Sequence, residues 1–314
     1  MNRVKDRGLV LALGGGGARG LAHIGVIEVL VREKIPIRAI VGTSIGAEIG
    51  AFFAAGISSK EMRELACRMD WISTMRLFTP DFSELGVSTG KGIREYLTPY
   101  MANKKIENLS TAFAAIATDL STGEQVVIRK GDLLDAVRAS ISYPGLLTPF
   151  QKDGRTLIDG GMVNPVPFDS ARTLFGGPVL AVQVHPKVEL HAAHREKEAP
   201  EWDNRLKELL ADAWPNMPPH LIKWFQGFKR KRHFPFHKES SLGISSIMNQ
   251  SQLITQDMIM RLRMHILPPD LLLKPDISEI GSLEFYRAED AIIAGKAATE
   301  AQLETILQLH STFI

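Results

Sequence analysis

Gly42-Thr43-Ser44-Ile45-Gly46 sets a serine between two glycines, directly after the apolar pair Ile40-Val41 and directly before a helical pattern. The spacing Gly-x-Ser-x-Gly in that setting predicts a nucleophile elbow. Such a strand-to-helix turn holds a strained serine with its hydroxyl clear of the sheet. Gly42 and Gly46 leave room where side chains would collide across the turn. A helix starting near Ala47 would aim its free N–H groups at the serine, where negative charge develops during attack on a carbonyl. The spacing recurs at Gly86-Val87-Ser88-Thr89-Gly90, but there it follows the polar stretch Asp81-Phe82-Ser83-Glu84. With no buried strand before it, Ser88 reads as a loop serine.

A second chemical element lies upstream. The apolar run Val10-Leu11-Ala12-Leu13 reads as a buried strand and leads into Gly14-Gly15-Gly16-Gly17-Ala18-Arg19-Gly20. Leu21, Ile24, Ile27 and Val31 then recur at near-helical spacing. Four successive glycines expose bare backbone N–H groups that can wrap an anion, either a phosphate or the oxyanion of a tetrahedral intermediate. The loop also fits Gly-x-Gly-x-x-Gly through Gly15, Gly17 and Gly20, the pattern of a dinucleotide site. That reading requires an acid at the end of the second strand to hold a ribose. The second strand, Ala39-Ile40-Val41, ends instead in Gly42-Thr43-Ser44, and Glu33 comes too early, before Pro36. A phosphate-binding lysine loop around Gly90-Lys91 also fails, because Gly92 follows the lysine and Leu85 stands where the first glycine is needed.

The third element is Asp159-Gly160-Gly161, after Leu157-Ile158. An acid at a strand end beside two glycines suits an open crevice, although Asp-Gly is also a common turn signature.

The three motifs, in this order and spread over this span, resemble the patatin-like phospholipase family. So do Ala117-Thr118-Asp119-Leu120-Ser121-Thr122-Gly123, as a strand and turn, and Arg138-Ala139-Ser140-Ile141-Ser142-Tyr143-Pro144-Gly145, as a helix broken by proline. The likeness covers residues 8–185, and within the family it is greatest to bacterial members related to the catalytic domain of neuropathy target esterase. It implies a three-layer α/β sandwich related to the α/β-hydrolases and a serine hydrolase of lipid esters, phospholipids or lysophospholipids, with no cofactor and no metal. Ser44 is then the nucleophile and Asp159 the base of a two-residue dyad. Gly15, Gly16 and Gly17 supply the oxyanion hole, with Gly20, Gly42, Gly46, Gly160 and Gly161 supporting the motifs. Arg19 holds the motif's basic position, where it either steadies the loop or meets an acidic head group.

A triad would need a histidine after the acid. The chain offers His185, His191, His194, His220, His233, His237, His265 and His310, of which His185 alone follows a clear strand, Val179 to Val184. Pro186 follows it in a loop-prone region, so the dyad is the preferred reading. Partial burial would raise the Asp159 pKa from its ordinary value near 3.9 and make it a better base. His23 sits just past the glycine loop and reads as a packing residue. His233 and His237 are separated by Pro235, which argues against a helix that would pair them on a metal.

These residues need a frame, and the pattern provides one. Strands are expected near 8–14, 38–43, 112–119, 124–129, 156–159 and 179–185. Helices are expected near 20–33, 46–55, 59–69, 90–101, 132–141 and 167–174. The alternation predicts a mostly parallel central sheet covered by helices on both faces, with Gly14, Ser44 and Asp159 converging at strand C-terminal ends. Residues 244–262 and 286–311 read as helices closing the domain. The expected organisation is a catalytic core over 8–186, an insertion over 187–242 and C-terminal helices over 243–314.

The chain has 314 residues, 45% of them hydrophobic, which suffices for one large core. A net charge of +2 gives no nucleic-acid signal, and one cysteine, Cys67, excludes an intrachain disulfide and fits a cytoplasmic setting. The basic start and the apolar Leu9–Leu13 mimic a signal peptide, but the apolar run is too short and feeds the glycine loop. No stretch is long and apolar enough to cross a bilayer. Residues 220–238 interleave Trp224, Phe225 and Phe228 with Lys229, Arg230, Lys231 and Arg232, and no acidic side chain occurs between Asp212 and Glu239. That composition suits the interface of an anionic membrane, at its cytoplasmic face. A packed helix or an oligomer contact is the other reading of the segment. Two further classes compete with a hydrolase: an adaptor that keeps the fold and binds a protein partner, and a nucleotide-binding Rossmann protein.

Overall fold

The computed structural model describes residues 8–78, 88–185 and 244–312. Contacts divide the chain into a unit of residues 1–188 with 249–314 and a second unit of residues 189–248. The expected insertion over 187–242, with its basic-aromatic stretch 220–238, lies outside the described residues.

In chain order the elements are β1 (Leu9–Leu13), α1 (Ala22–Arg32), β2 (Ile37–Thr43), α2 (Ile45–Ala54), α3 (Ser59–Cys67), α4 (Trp71–Leu77) and α5 (Lys91–Met101). They continue with β3 (Ala112–Asp119), β4 (Gln125–Ile128), α6 (Leu133–Ser140), β5 (Phe150–Lys152), β6 (Arg155–Asp159), α7 (Phe168–Phe175) and β7 (Val179–Val182). The last are α8 (Ile244–Ile266), β8 (Leu271–Leu273), α9 (Ala288–Glu300) and α10 (Leu303–Thr312). The sheet runs β5-β6-β3-β2-β1-β7-β8, with β4 also paired to β3. β3, β2, β1, β7 and β8 are parallel to one another, whereas β4 and β6 pair antiparallel with β3.

Strand β1 is buried along its whole length, and alternation splits it between two cores. Leu9, Leu11 and Leu13 face a large core shared with Ile24 and Ile27 of α1, Ala47 and Phe52 of α2, and Ile292 of α9. Val10 and Ala12 face a smaller core with Phe168 and Ala171 of α7 and Met260 of α8. Helices therefore cover both faces of a mostly parallel sheet, as the alternation predicts. Each fully buried leucine or isoleucine contributes about 1.5–3 kcal/mol, so the central strands anchor the fold. Among the described residues no helix is long and apolar enough to cross a membrane.

Several elements depart from the sequence pattern. The expected helix over 286–311 is two helices, α9 and α10. Thr299 Oγ1 donates back to the Gly295 carbonyl at 2.8 Å, a bond that bends helices. The turn lets Ile306 reach the core with no exposed surface. Helix α4 and the three-residue strands β5 and β8 were not expected. β5 and β6 form a hairpin around Asp153-Gly154, both with positive φ, the turn chemistry that an Asp-Gly pair favours.

Helix α9 closes the domain by lying directly on α1. A Cβ added at Gly295 would stand 1.9 Å from the Ala22 carbonyl oxygen, and one at Gly25 would stand 2.0 Å from that of Ile292. Backbone opposes backbone at both points, so neither clash can be relieved by rotating a side chain. Gly295→Leu is expected to lower stability by about 2–4 kcal/mol through overpacking. Urea denaturation measures it, and a change within about 0.5 kcal/mol, as at an ordinary surface site, would refute the account.

Candidate active site

Ser44 sits between the last residue of β2 and the first of α2, with φ 54° and ψ −125°. Few non-glycine residues adopt a positive φ, and the conformation persists only where the surroundings enforce it. The surroundings here are close. A Cβ at Gly42 would lie 2.4 Å from the Ala47 backbone, and one at Gly46 would lie 2.1 Å from the Leu13 carbonyl oxygen. The turn closes against itself and β1 only because both positions are glycine. Gly20 abuts Ile45 in the same way.

The serine is further fixed through its backbone. Its N–H donates to Ser140 Oγ at 2.9 Å, and Ser140 donates in turn to the Ile116 carbonyl at 2.6 Å. Thr43 Oγ1 donates to the Asn164 carbonyl at 2.8 Å. Helix α6, strand β3 and the loop after Asp159 thus all hold the elbow.

Asp159 ends β6, and its carboxylate accepts from Ser44 Oγ at 2.6 Å through Oδ2 and from the Gly161 N–H at 2.7 Å through Oδ1. Its own N–H donates to the Ser142 carbonyl, and its carbonyl accepts from Thr118 Oγ1. The residue is 2% exposed. Burial pushes the carboxyl up to about 6, against the two hydrogen bonds, which favour the charged form. A Cβ at Gly160 would strike the Ile116 carbonyl at 2.2 Å, and one at Gly161 would crowd Gln256 of α8. Both glycines let the turn press onto its neighbours.

The glycine loop crosses beside Ser44. A Cβ at Gly15 would lie 3.2 Å from the serine Cβ. The Gly15 N–H, however, donates to the Pro165 carbonyl at 3.0 Å, which removes it from the three expected oxyanion donors. The chain returning after Asp159 reaches that N–H first. Gly16 and Gly17 have no backbone acceptor for their N–H groups among the described residues. His23 Nε2 donates to the Gly14 carbonyl at 2.8 Å. Burial pushes His23 down to about 4, so it is neutral at pH 7 and anchors the loop from below.

These groups open into a cleft of about 340 Å³, lined by Ser44, Asp159, Gly15, Gly16 and Gly17 at one end and largely by apolar side chains elsewhere. Arg19 also lines it. Burial lowers the Arg19 pKa, which Glu284 partly offsets, and its Nε is buried with no partner among the described residues. His185 lines the cleft too, pushed down to about 4 by burial and by Arg19, and hydrogen-bonded to Gln256. Ser44 Oγ is bonded to the Asp159 carboxylate, not to His185. Ser88, the other serine in a Gly-x-Ser-x-Gly, is 1% exposed and its hydroxyl accepts from the Gly90 N–H rather than meeting a carboxylate. His191, His194, His220, His233 and His237 lie outside the described residues.

Sequence reasoning missed the groups that act through the fold. Ser140 and Ser142 stand in the phrase Arg138–Gly145, but their contacts to Ser44 and Asp159 appear only once β3 has brought α6 alongside. Gln252 and Gln256 come from α8. Tyr143, which lines the cleft, donates to Gln252 Oε1 at 2.7 Å.

Comparison with known proteins finds relatives of this chain. The family model described as patatin-like phospholipase matches residues 11–172. An uncharacterized NTE family protein of Mycobacterium tuberculosis is 30% identical over 336 residues, covering 94% of this chain and 91% of that protein. Patatin-like phospholipase domain-containing protein 6 of Mus musculus is 34% identical over 183 residues, covering 56% of this chain and 13% of that protein. The crystal structure of VipD from Legionella pneumophila aligns with a TM-score of 0.47 at 14% identity, over 95% of this chain and 67% of that one. The chain belongs to the patatin-like phospholipase family, a family of lipid hydrolases.

The burial of Asp159 has a thermodynamic consequence. A carboxyl raised from 3.8 to about 6 keeps its proton longer in the folded than in the unfolded state. The penalty is absent below pH ~4, grows between pH ~4 and ~6, and is complete above, on the order of 2–3 kcal/mol. Asp159→Asn should therefore melt near wild type at pH 4 and higher than wild type at pH 7.5. Melting curves at the two pH values check this, and a variant less stable at pH 7.5 would contradict it.

Proposed function

We propose that the protein is a serine acyl hydrolase that cleaves carboxylic esters of lipids, phospholipids or lysophospholipids, through a Ser44–Asp159 dyad and an acyl-enzyme. The observation that carries this is the 2.6 Å hydrogen bond from Ser44 Oγ to a buried carboxylate at the head of a largely apolar cleft. Ser44 Oγ attacks the ester carbonyl carbon as its proton passes to Asp159 Oδ2. Negative charge gathers on the carbonyl oxygen, where the Gly16 and Gly17 N–H groups and the start of α2 are the available donors. The intermediate collapses, and the departing alkoxide takes the proton from Asp159 and leaves as the alcohol. Water then attacks the acyl-enzyme, gives its proton to Asp159, and releases the carboxylic acid while Ser44 regains its hydrogen. Asp159 is a better base than a solvated aspartate because burial has raised its proton affinity. Arg19, at the cleft wall, suits an acidic head group.

The exposed surface of a lipid aggregate must reach this cleft, and the segment 220–238 supplies the composition for peripheral contact with an anionic membrane at its cytoplasmic face. Each basic residue near such a surface contributes about 1 kcal/mol. An adaptor role would leave the serine, the acid and the loop without a purpose, and a dinucleotide site would lack its acid after β2.

Ser44→Ala should lower ester hydrolysis by at least ~10³-fold and abolish labelling by a fluorophosphonate, whereas Ser88→Ala and His185→Ala should stay active. A His185→Ala variant as inactive as Ser44→Ala would replace the dyad by a triad. The rate should also depend on Asp159 being ionised. With a carboxyl near 6, kcat/KM on a soluble ester should fall about tenfold per pH unit below that value and level off above it. A profile flat down to pH 4.5 would exclude Asp159 as the base. Replacing Lys229, Arg230, Lys231 and Arg232 by serine should weaken sedimentation with anionic vesicles, most strongly at low salt. Equal binding of the wild type to neutral and anionic vesicles would end the membrane reading.

A further inference from the structure

Glu48 has no part in the chemistry just described, yet it stands one helical turn after Ser44 on α2. Residues four apart lie on the same helix face, about 6 Å apart along the axis. Glu48 lines the cleft that holds Ser44. It also lines a second, inner cavity of about 50 Å³. The two spaces share Glu48, Phe78, Ile93 and Phe285, so these four side chains form the boundary between them. Beyond the boundary the chamber is walled by groups such as Ile24, Phe52 and Met62, and among the described residues the hydroxyl of Tyr96 is the other polar side-chain group besides Glu48.

A carboxyl at that boundary is costly. No hydrogen bond or ion pair of Glu48 is found among the described residues, and desolvation alone pushes its pKa up to about 7. In the open cleft water can reach it. An acyl chain bound to Ser44 and running toward the chamber would displace that water and leave the carboxyl facing methylenes. An unsatisfied buried polar group costs about 1–3 kcal/mol. Burial, and after it the neighbouring Glu48, raises the Tyr96 pKa as well. An unsubstituted chain therefore fits this path poorly. A chain with a hydroxyl or keto oxygen at the depth of Glu48 would supply the missing partner.

We infer that Glu48, with Tyr96 beside it, is a specificity-determining residue that selects acyl chains bearing a hydroxyl or keto group part-way along their length. The inference rests on the acyl-hydrolase reading of Ser44. Sites built to hydrogen-bond a substrate hydroxyl reject the analogue that lacks it far more strongly than apolar pockets distinguish sizes. Protonated Glu48 donates to the oxygen of either group, and ionised Glu48 accepts from a hydroxyl. The helix supplies the register, since Ser44 fixes the carboxyl carbon of the acyl group and Glu48 reads the chain a fixed distance on.

The test uses p-nitrophenyl butyrate, dodecanoate and a series of hydroxydodecanoates whose hydroxyl moves stepwise along the chain. Rates on each long ester are divided by the same enzyme's rate on butyrate, which carries no hydroxyl and stops short of the chamber side of the series. In the wild type one or two adjacent hydroxy isomers should exceed plain dodecanoate by about tenfold or more in kcat/KM. Glu48→Gln, which keeps a donor and an acceptor, should retain that preference. Glu48→Leu should lose or invert it, and Glu48→Met serves if the branched side chain prevents folding. No positional preference in the wild type, or a preference that survives in Glu48→Leu or Glu48→Met, would overturn the inference. Failure to hydrolyse butyrate and to react with a fluorophosphonate at Ser44 would instead overturn the hydrolase reading itself.

Discussion

A carboxylate buried beside a serine hydroxyl is stable only where its donors are already in place. Asp159 is 2% exposed and has two such donors, Ser44 Oγ and the Gly161 N–H. Most of the architecture near the cleft serves that contact. Strand β3 lies between β2, which carries the serine, and β6, which carries the acid. It also sends its Ile116 carbonyl to Ser140, and Ser140 holds the serine backbone. A side chain at Gly160 would push the acid off that same carbonyl. One peptide group in the middle of the sheet is thus a common reference for both the serine and the acid.

Helix α8 ties the opposite wall to this reference. Arg263 pairs with Asp169, and Asp169 Oδ1 also accepts from Asn164 Nδ2. The Asn164 carbonyl in turn holds Thr43, the residue before Ser44. Two and three turns earlier on the same helix, Gln256 lines the cleft and Gln252 accepts from Tyr143, which lines it too. A shift of α8 along its axis would be felt at Tyr143, at His185 and at the elbow together. The wall and the floor of the cleft are one connected set of hydrogen bonds rather than separate supports.

The parts of this arrangement that could be read from the residues are those whose chemistry is local. Ser44 with its glycines, the loop 14–17 and Asp159 announce themselves because tight turns and bare backbone require particular residue types at fixed spacing. The alternation of β1 was legible for a similar reason, since a strand buried on both faces must be apolar throughout. Parts that depend on what arrives from elsewhere were not. Gly15 was expected as an oxyanion donor, and only the returning chain at Pro165 shows that its N–H is occupied. Ser140 is one of many serines until β3 places it. Glu48 is an ordinary polar residue on a helix until two cavities are found on either side of it. The hairpin at Asp153-Gly154 was written in the turn residues, but strands three residues long leave too little alternation to be noticed.

Serine and acid are separated by 115 residues, and the chain is made from the serine end. The elbow can close against β1 as soon as the first two strands meet, since its contacts are local. Its carboxylate partner comes much later, after β3 has docked and β6 has turned back along it. Until that antiparallel pairing forms, the Ser44 hydroxyl lacks its carboxylate partner, however well its turn is shaped. The contact between them is therefore a property of the assembled sheet: a growing chain that has not yet made β6 has the shaped turn but no carboxylate for its hydroxyl.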